Sequence, residues 1–280
     1  AAWTPWKGCF WTRYRVHVMA KRIIYYSDPL RDDFADNHIH TKAVDRHFPF
    51  LHRSRLWALW SFLVYYGVAI PVVFLISKIY LGLKFENHRQ LRKVRASGYF
   101  LYGNHTRGLD AFLPAMAAFP KRSYIVAGPD AVSIPGLRNL VQLLGCIPVP
   151  SDWSGFPAFL EALERRFLQG ACIGIFPEAH IWPFYTGVRP FVGTSFRYPV
   201  KLHAPVVAMA VTYRKRRGLF CWVKRPGMTV TFSAPMYPDP SQRPKAAQED
   251  LRRRTYEFLC QVTSRPDNVE YIRYEPKEAE

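Results

Sequence analysis

A histidine and an aspartate follow a short apolar run in the first half of the sequence. The stretch FLYGNHTRGLDAF, residues 100–112, passes from apolar residues into Asn104 and His105, and Asp110 stands five positions after the histidine. A carboxylate in the first turn of a helix can orient an imidazole that precedes the helix, and the oriented ring can then take a proton from a hydroxyl group. The spacing therefore predicts a general base at His105 with Asp110 as its partner.

The elements that would position this pair are those of an α/β domain. From residue 84 onward, short β-rich apolar runs alternate with helix-like stretches, a pattern that predicts a largely parallel sheet flanked by helices. The predicted strands are residues 98–103, 124–128, 146–150, 171–176 and 205–213, and the predicted helices are 109–119, 134–145 and 156–170. Ligands bind at the carboxyl ends of parallel strands, and His105 follows the first of these strands.

Smaller signals mark the ends of elements. We expect Ser154 to cap the helix over residues 156–170 and Gly170 to end it. A hairpin within residues 220–236 is expected to turn near Pro226 and Gly227, and an amphipathic helix is expected to follow Pro244.

A long uncharged segment precedes the predicted domain. Residues 56–77, LWALWSFLVYYGVAIPVVFLIS, contain no charged side chain, and about 20 apolar residues suffice to cross a bilayer. Pro71 would kink such a helix, so a transmembrane helix and a helical hairpin in one leaflet both fit, with a buried core helix as a third alternative. We predict a loosely packed lead-in over residues 1–55, a membrane-associated helical segment over 56–82 and a catalytic domain over 83–280.

Composition restricts the partners and the compartment. The formal charge is +18 and the pI is near 9.9, which indicates an anionic partner such as a nucleic acid, a phospholipid surface or an acidic carrier protein. The five cysteines are widely spread and form no CxxC pair, so neither a disulfide framework nor a zinc site is indicated. We expect a reducing compartment, on the cytoplasmic side.

A second segment carries further polar residues at a predicted strand end. The stretch GIFPEAHIWP, residues 174–183, places Glu178 and His180 after the run ACIGIF. Together, NHTRGLD and FPEAH resemble the lysophospholipid acyltransferase superfamily, whose hallmarks are a histidine and an aspartate separated by four residues and a later Phe-Pro-Glu-Gly block. The stretches GCIPVP (145–150) and APVVAMAV (204–211) resemble its second and fourth blocks. The resemblance covers roughly residues 80–215, with the blocks in the family's order.

This resemblance implies a glycerol-3-phosphate acyltransferase-like fold and O-acyl transfer to a glycerolipid. His105 would remove the proton from the acceptor hydroxyl and Asp110 would orient the ring. The hydroxyl oxygen would attack an acyl thioester carried by coenzyme A or acyl carrier protein, and Glu178 would help to bind the acceptor, a lysophospholipid such as lysophosphatidic acid. No metal and no cofactor other than the thioester co-substrate is expected.

The chain departs from the family pattern in three of the blocks. Arg107 stands where the family commonly has Ser, Ser151 where the second block commonly ends in Arg, and Ala179 where the third block has Gly. The residues His-Ile-Trp also replace a common Thr-Arg-Ser, so two arginines that hold the acceptor phosphate in the family are missing. Because guanidinium groups suit phosphate oxygens, we expect substrate binding by a set drawn from both segments and from the residues that follow: Asn104, Arg107, Glu178, His180, Arg189 and Arg197. A solvated basic face is the alternative.

Three other functions fit parts of the sequence. A nucleic-acid-binding protein would use the same charge, but no zinc-finger, RNP-like or helix-turn-helix pattern is present. A metal site at residues 38–40 with His47 and Asp45 has the right residue types in a polar, irregular segment. A catalytically inactive, lipid-binding member of the fold is the third. We predict instead a membrane-associated acyltransferase on the cytoplasmic face, with membrane phospholipids, a lysophospholipid and acyl-CoA or acyl carrier protein as partners and no nucleic acid.

Overall fold

The computed structural model describes residues 22–34, 41–218 and 221–277. The strands in these ranges are β1 (Ile23–Tyr26), β2 (Lys84–Glu86), β3 (Tyr99–Gly103), β4 (Ser123–Ala127), β5 (Cys146–Pro148), β6 (Cys172–Ile175), β7 (Val206–Arg214), β8 (Gly227–Phe232) and β9 (Arg273–Pro276). The α-helices are α1 (Arg55–Phe62), α2 (Ile70–Ile79), α3 (Leu113–Ala118), α4 (Arg138–Leu143), α5 (Phe156–Leu168), α6 (Arg197–Lys201) and α7 (Pro244–Thr263). A π-helical segment covers Leu63–Ala69, and short 3-10 helices include His88–Val94, Gly108–Phe112 and Gly193–Phe196.

Seven strands form one sheet in the order β2-β8-β7-β3-β6-β4-β5. The strands from β7 to β5 in that order are parallel, whereas β8 runs antiparallel to β7 and β2 runs parallel to β8. The predicted α/β class with a largely parallel sheet flanked by helices is therefore confirmed. Since β3 lies in the middle of the sheet, between β6 and β7, the residues that follow it lie at the sheet's central crevice.

Strand β3 is buried on both faces, as expected for a central parallel strand. Its alternate side chains enter two cores. Phe100 and Tyr102 pack in the core that includes buried residues of α5 and α7, whereas Tyr99 and Leu101 pack in the core that includes residues of α3 and His88–Val94. The covering of both faces fixes the strand, and with it the position of the residues at its end.

Helix α1, the π-helical segment and α2 form one continuous helix, Arg55–Ile79, hereafter the apolar helix. Pro71 has no N–H and would clash with the carbonyl of Gly67 in a regular α-helix, and the wider π-helical turn just before it accommodates the proline. Only 6% of the helix's most apolar window is buried, so the core-helix alternative is wrong. The helical hairpin is also not formed, because the helix does not reverse direction.

The apolar helix lies along the domain and is tied to it by polar contacts. Ser61 Oγ donates to the Leu143 carbonyl at 2.8 Å, and Tyr66 Oη donates to the Pro120 carbonyl at 2.9 Å. Near its other end, the Leu83 N–H donates to the Ser77 carbonyl at 2.8 Å. Both halves of the helix are therefore fixed against the domain.

The lead-in is packed more tightly than expected in the residues that the structure describes. Strand β1 pairs in parallel with β9, near the end of the chain. Val44, Phe48 and Phe50 are buried in the core on the α5 and α7 side. The expectation of a loosely packed lead-in is therefore wrong for residues 41–54, whereas residues 22–34 pair through β1 but contain no buried residue. The division of the chain at residues 55 and 82 stays a prediction. Residues 38–40, which carry two histidines of the metal-site alternative, lie outside the described residues.

Two of the smaller expectations are wrong and two are confirmed, one of them the helix expected after Pro244, which is α7. Strand β8 pairs with β7, so the hairpin is formed by these two strands and not within residues 220–236. Helix α5 has Gly155 at its N-cap without a side-chain cap, and Ser154 instead donates its N–H to Asp152 Oδ1 at 2.8 Å. Gly170 follows the end of α5 with a φ of +77°, a conformation that favours glycine and ends the helix.

Candidate active site

The turn after β3 is held in place by its first residue. Asn104 is buried, accepts the Val211 N–H at 2.7 Å and donates to the Val211 carbonyl at 3.1 Å. This amide therefore continues the pairing of β3 with β7 beyond the last strand residue. Gly103, just before it, lies close to β7: a Cβ there would approach Met209 Cε to 2.8 Å and the Met209 carbonyl oxygen to 3.2 Å, so these neighbours would have to shift. Asn104 thus has a structural role, and its expected contact with substrate stays a prediction.

Asp110 organises the turn that follows β3, residues 104–110, which we call the catalytic turn after its predicted role. It lies in the 3-10 helix Gly108–Phe112 and is fully buried. Its Oδ2 accepts the backbone N–H groups of Thr106 and Arg107 at 2.7 and 2.8 Å, and the Thr106 hydroxyl at 3.1 Å. These donors satisfy a buried charge that would otherwise be costly.

His105 and Asp110 are brought together as the sequence predicts. His105 Nδ1 lies 3.6 Å from Asp110 Oδ2, which is an ion-pair distance but too long for a hydrogen bond. His105 Nδ1 and Asp110 Oδ1 are both buried without a hydrogen-bond partner among the described residues. Catalytic hydrogen bonds are often long in the absence of substrate and shorten when it binds.

An aromatic ring supports the imidazole from the neighbouring strand. Phe176, directly after β6, stacks on His105 with ring centres 4.4 Å apart and planes inclined by 19°. The His105 side chain is 13% exposed, so its ring is held by protein on one face and is not enclosed. Phe176 can therefore orient the His105 imidazole, which remains open to a substrate.

Glu178 and Arg189 form a buried ion pair beside the catalytic turn. Arg189 Nε lies 3.2 Å from Glu178 Oε2, and the Arg189 N–H donates to Oε1 at 3.3 Å. Burial raises the pKa of Glu178 to about 7, while Arg189, the charge of His105 and the His105 backbone N–H act to lower it. The structure therefore places Glu178 next to His105, whereas the Arg189 side chain is taken up by its ion pair with Glu178. Substrate contacts by either residue stay predictions.

The Arg107 guanidinium packs against two aromatic rings near the end of the apolar helix. Its guanidinium carbon is 4.8 Å from the ring centre of Phe184 and 5.3 Å from that of Tyr80. The residue is buried, and its Nη1 has no hydrogen-bond partner among the described residues. A buried cationic group with a free donor, two residues from His105, fits the predicted role in binding an anion.

The two remaining predicted residues are not joined to the catalytic pair. His180 Nδ1 lies 3.6 Å from Asp33 Oδ2 in the lead-in. Arg197 packs over Phe156 and Tyr198, on the side of the sheet that α5 covers. No contact among the described residues connects either side chain to His105, and their binding roles stay predictions.

Several residues that position the site were not singled out by sequence. The Thr106 hydroxyl is 2.7 Å from the Tyr213 hydroxyl of β7, and the Thr106 carbonyl accepts the Phe184 N–H at 3.1 Å. These bonds tie the catalytic turn to β7 and to the loop after β6. Tyr213 is the last residue of the strand predicted over residues 205–213, and no local signal in the sequence distinguishes it from an ordinary buried residue.

An apolar cavity adjoins the catalytic turn. It has a volume of about 240 Å³ and lies between the apolar helix and the helices that follow β3 and precede β5. Leu109 and Phe112, from the same 3-10 helix as Asp110, line it together with Val72 and Ile76 of the apolar helix. A second cavity of about 150 Å³ shares Ala69, Val73, Phe112 and Leu144 with the first and continues toward β4 and β5.

The fold and the site are those of an α/β enzyme with a histidine and a carboxylate at the carboxyl edge of a parallel sheet. A family model described as acyltransferase matches residues 83–212, a range that includes all four blocks identified in the sequence. Residues 83–212 are therefore similar to an acyltransferase domain, which agrees with the resemblance found in the sequence and with an enzyme of that class.

A solved structure and the curated proteins were also compared. The 1-acyl-sn-glycerophosphate (LPA) acyltransferase PlsC from Thermotoga maritima is similar with a TM-score of 0.49 and 16% identity, over 76% of this chain and 97% of that chain. Comparison with the curated proteins gave no match.

Proposed function

We propose that this protein transfers a fatty acyl group from an acyl thioester of coenzyme A or acyl carrier protein to the hydroxyl of a lysophospholipid such as lysophosphatidic acid. The observation that carries the proposal is the position of the His105–Asp110 pair beside the apolar cavity lined by Leu109 and Phe112. A base for a hydroxyl group and a site for hydrocarbon are thus adjacent, as an acyl transfer to an alcohol requires.

The steps of the reaction follow from the positions of the two side chains. The neutral His105 imidazole accepts the proton of the acceptor hydroxyl as the oxygen attacks the thioester carbonyl. Asp110, with a negative charge 3.6 Å away, stabilises the imidazolium that forms. The carbon–sulfur bond then breaks, the thiolate takes the proton from the imidazolium, and the ester is released.

The apolar helix supports action at a membrane. In the described residues, Arg55–Ile79 is the one helix long and apolar enough to cross a bilayer, yet its contacts hold both of its halves against the domain. A helix fixed in this way is suited to lie in the surface of one leaflet with its exposed side buried in lipid. We place the active site at the cytoplasmic face, where a lipid can enter the cavity without leaving the bilayer.

The proposal is tested by replacing the base. Purified parent protein and His105→Ala are incubated with lysophosphatidic acid and acyl-CoA or acyl carrier protein thioester, and the products are identified by mass. We expect the substitution to lower turnover by roughly a hundredfold to ten-thousandfold, the usual contribution of a general base. His47→Ala, at an exposed histidine of the lead-in, is the matched control and is expected to keep the parent rate.

The outcomes separate the candidate functions. Equal rates for the parent and His105→Ala would contradict general-base catalysis by His105. Lipid binding without turnover in the parent would favour a catalytically inactive, lipid-binding member of the fold. Salt-sensitive binding to oligonucleotides and none to anionic vesicles would favour the nucleic-acid-binding alternative.

A further inference from the structure

Four arginines converge on the end of the apolar helix. Arg216, in the loop after β7, donates to the carbonyl of Ile79 at 3.1 Å and also to that of Tyr80. Arg214 donates to the Gly82 carbonyl at 2.6 Å. Arg216 thus satisfies carbonyl groups that a helix leaves unpaired at its C-terminus, and Arg214 binds the chain just beyond it.

The remaining two guanidinium groups share one aromatic ring. Arg225, just before β8, lies over Tyr80 with its guanidinium carbon 5.0 Å from the ring centre, and Arg107 lies 5.3 Å from the same centre. Arg216 Nε donates to the Arg225 carbonyl at 2.9 Å. Arg107, Arg216 and Arg225 therefore surround Tyr80, and we call them the Tyr80 arginine cluster.

The charge of this cluster is not neutralised by the protein. None of the three arginines makes an ion pair with a carboxylate among the described residues; the nearby Glu86 pairs with Lys84 and Arg265. Burial, Arg214 and Arg107 all lower the pKa of Arg216. Like charges held this close destabilise one another unless an anion joins them.

Arg107 connects the cluster to the catalytic pair. The backbone N–H of Arg107 donates to Asp110 Oδ2 at 2.8 Å, while its guanidinium reaches Tyr80. Arg107 Nη1 is buried and has no partner among the described residues. A group bound by the cluster would thus belong to a molecule whose reactive atom lies at His105.

We propose that Arg107, Arg216 and Arg225 bind a phosphate group of a substrate of the acyl transfer. The inference rests on the proposed function and adds to it two residues outside the four sequence blocks, Arg216 and Arg225. Guanidinium groups suit phosphate because their donors match its oxygens in pairs. The phosphate belongs either to the lysophospholipid acceptor or to the coenzyme A of the donor.

Arg225→Gln tests the proposal because Arg225 is exposed and its substitution leaves the helix contacts of Arg216 in place. Lys224→Gln, the adjacent exposed position with the same change in charge, is the matched control. KM is measured for lysophosphatidic acid and for monoacylglycerol, which lacks phosphate. It is also measured for acyl-CoA and for the acyl thioester of N-acetylcysteamine, which lacks phosphate as well.

Each result either assigns the bound phosphate to one of the two substrates or contradicts the proposal. A rise in KM of roughly tenfold for lysophosphatidic acid alone, the usual effect of losing a hydrogen bond to a charged group, assigns the acceptor phosphate. The same rise for acyl-CoA alone assigns the donor phosphate. Unchanged KM values for both, or equal effects of Lys224→Gln and Arg225→Gln, would overturn the proposal.

A binding measurement separates this proposal from the proposed function. In a His105→Ala background, binding to neutral vesicles that contain lysophosphatidic acid is compared with binding to vesicles that contain monoacylglycerol, and coenzyme A is tested as a soluble ligand. If His105→Ala keeps full activity, the general base is wrong, but a phosphate-dependent loss of binding in Arg225→Gln would still support the cluster. Binding that is unaffected by Arg225→Gln for both phosphate ligands would contradict the cluster alone.

Discussion

Asp110 serves the backbone of its own turn as well as the imidazole beside it. One oxygen, Oδ2, accepts two backbone N–H groups and the Thr106 hydroxyl, and the same oxygen lies 3.6 Å from His105. The four-residue spacing is needed for both purposes, because it places the carboxylate in the first helical turn below the residues that donate to it. A change at Asp110 therefore disturbs the position of His105 as well as its charge.

Ala179 adopts a backbone conformation that glycine accepts more readily. Its φ is +63°, in the left-handed region, which costs a residue with a Cβ roughly 1–2 kcal/mol. The family pattern noted in the sequence has Gly at this position, and the structure gives the physical reason. The alanine is tolerated because Glu178 and the residues after it are fixed by the contacts of Arg189.

Ala179→Gly should therefore raise the free energy of unfolding by about 1 kcal/mol, since the strain relieved exceeds the extra flexibility of glycine in the unfolded chain. Chemical denaturation at constant pH measures the difference. Ala117→Gly, inside α3, is the matched control and should be destabilising. A loss of stability in Ala179→Gly as large as that of the control would contradict the explanation.

At the scale of residues, sequence was sufficient for chemistry that depends on local spacing. The His105–Asp110 pair and the position of Glu178 next to it were predicted because each follows a strand at the same edge of the sheet. The partners of Asn104 and Arg189 were not predictable, because Val211 and Glu178 satisfy them through contacts between strands and within a folded loop. A polar side chain at a strand end has the same sequence signature whether it binds substrate or holds the backbone.

At the scale of elements, the apolar helix forms one wall of the cavities beside the candidate site. Its inner side and the segment after β3 enclose two adjoining cavities that meet at Ala69, Val73, Phe112 and Leu144. If an acyl chain extends from the first cavity into the second, the side chain at position 69 lies at the junction. The helix would then set the length of chain that the enzyme accepts.

Ala69→Phe should shorten the preferred acyl chain by blocking this junction. Each methylene that no longer enters the cavity forfeits about 0.8 kcal/mol, or roughly fourfold in binding, so long-chain donors should lose kcat/KM while short-chain donors keep it. Leu75→Phe, an exposed position on the same helix that does not line either cavity, is the control. A uniform loss across all chain lengths would indicate general damage and not a blocked channel.

Elements were predictable where their pattern is local. The strands β3, β4, β6 and β7 and helices α5 and α7 follow from continuous apolar runs and helical spacing. The pairing of β8 with β7 was missed, because the sequence near Pro226 and Gly227 signals a turn without showing which strand lies opposite. The described part of the lead-in was misjudged for a related reason: its few apolar residues bury themselves against distant parts of the chain.

At the scale of the whole molecule, charge and apolar surface act together. The chain has a formal charge of +18, which favours approach to an anionic bilayer. If the protein acts at a membrane as we propose, the outer side of the apolar helix would provide contact with hydrocarbon. Its exposed apolar side chains include Leu59, Trp60, Leu63 and Leu75.

Replacing Leu59 and Leu75 together with Ser should weaken binding to phospholipid vesicles. Each buried leucine contributes about 1.5–3 kcal/mol, so the double variant should lose at least a hundredfold in partitioning, measured by sedimentation with vesicles at high salt to suppress the charge contribution. Val192→Ser, at an exposed apolar residue just before Gly193–Phe196, is the control. Undiminished binding of the double variant would show that the helix does not contact lipid.

The pairing of β1 with β9 has a consequence for the order of assembly. Ile23 pairs with Arg273. Tyr274 of β9 stacks on Trp182 and Tyr26 of β1 packs against it at a tilt, while Trp182 Nε1 donates to the Asp32 carbonyl. During synthesis, every residue of the catalytic turn leaves the ribosome long before β9 does. The aromatic cover over the loop that carries Glu178 is therefore added only after β9 has been made, about 160 residues after the turn that carries His105 and Asp110.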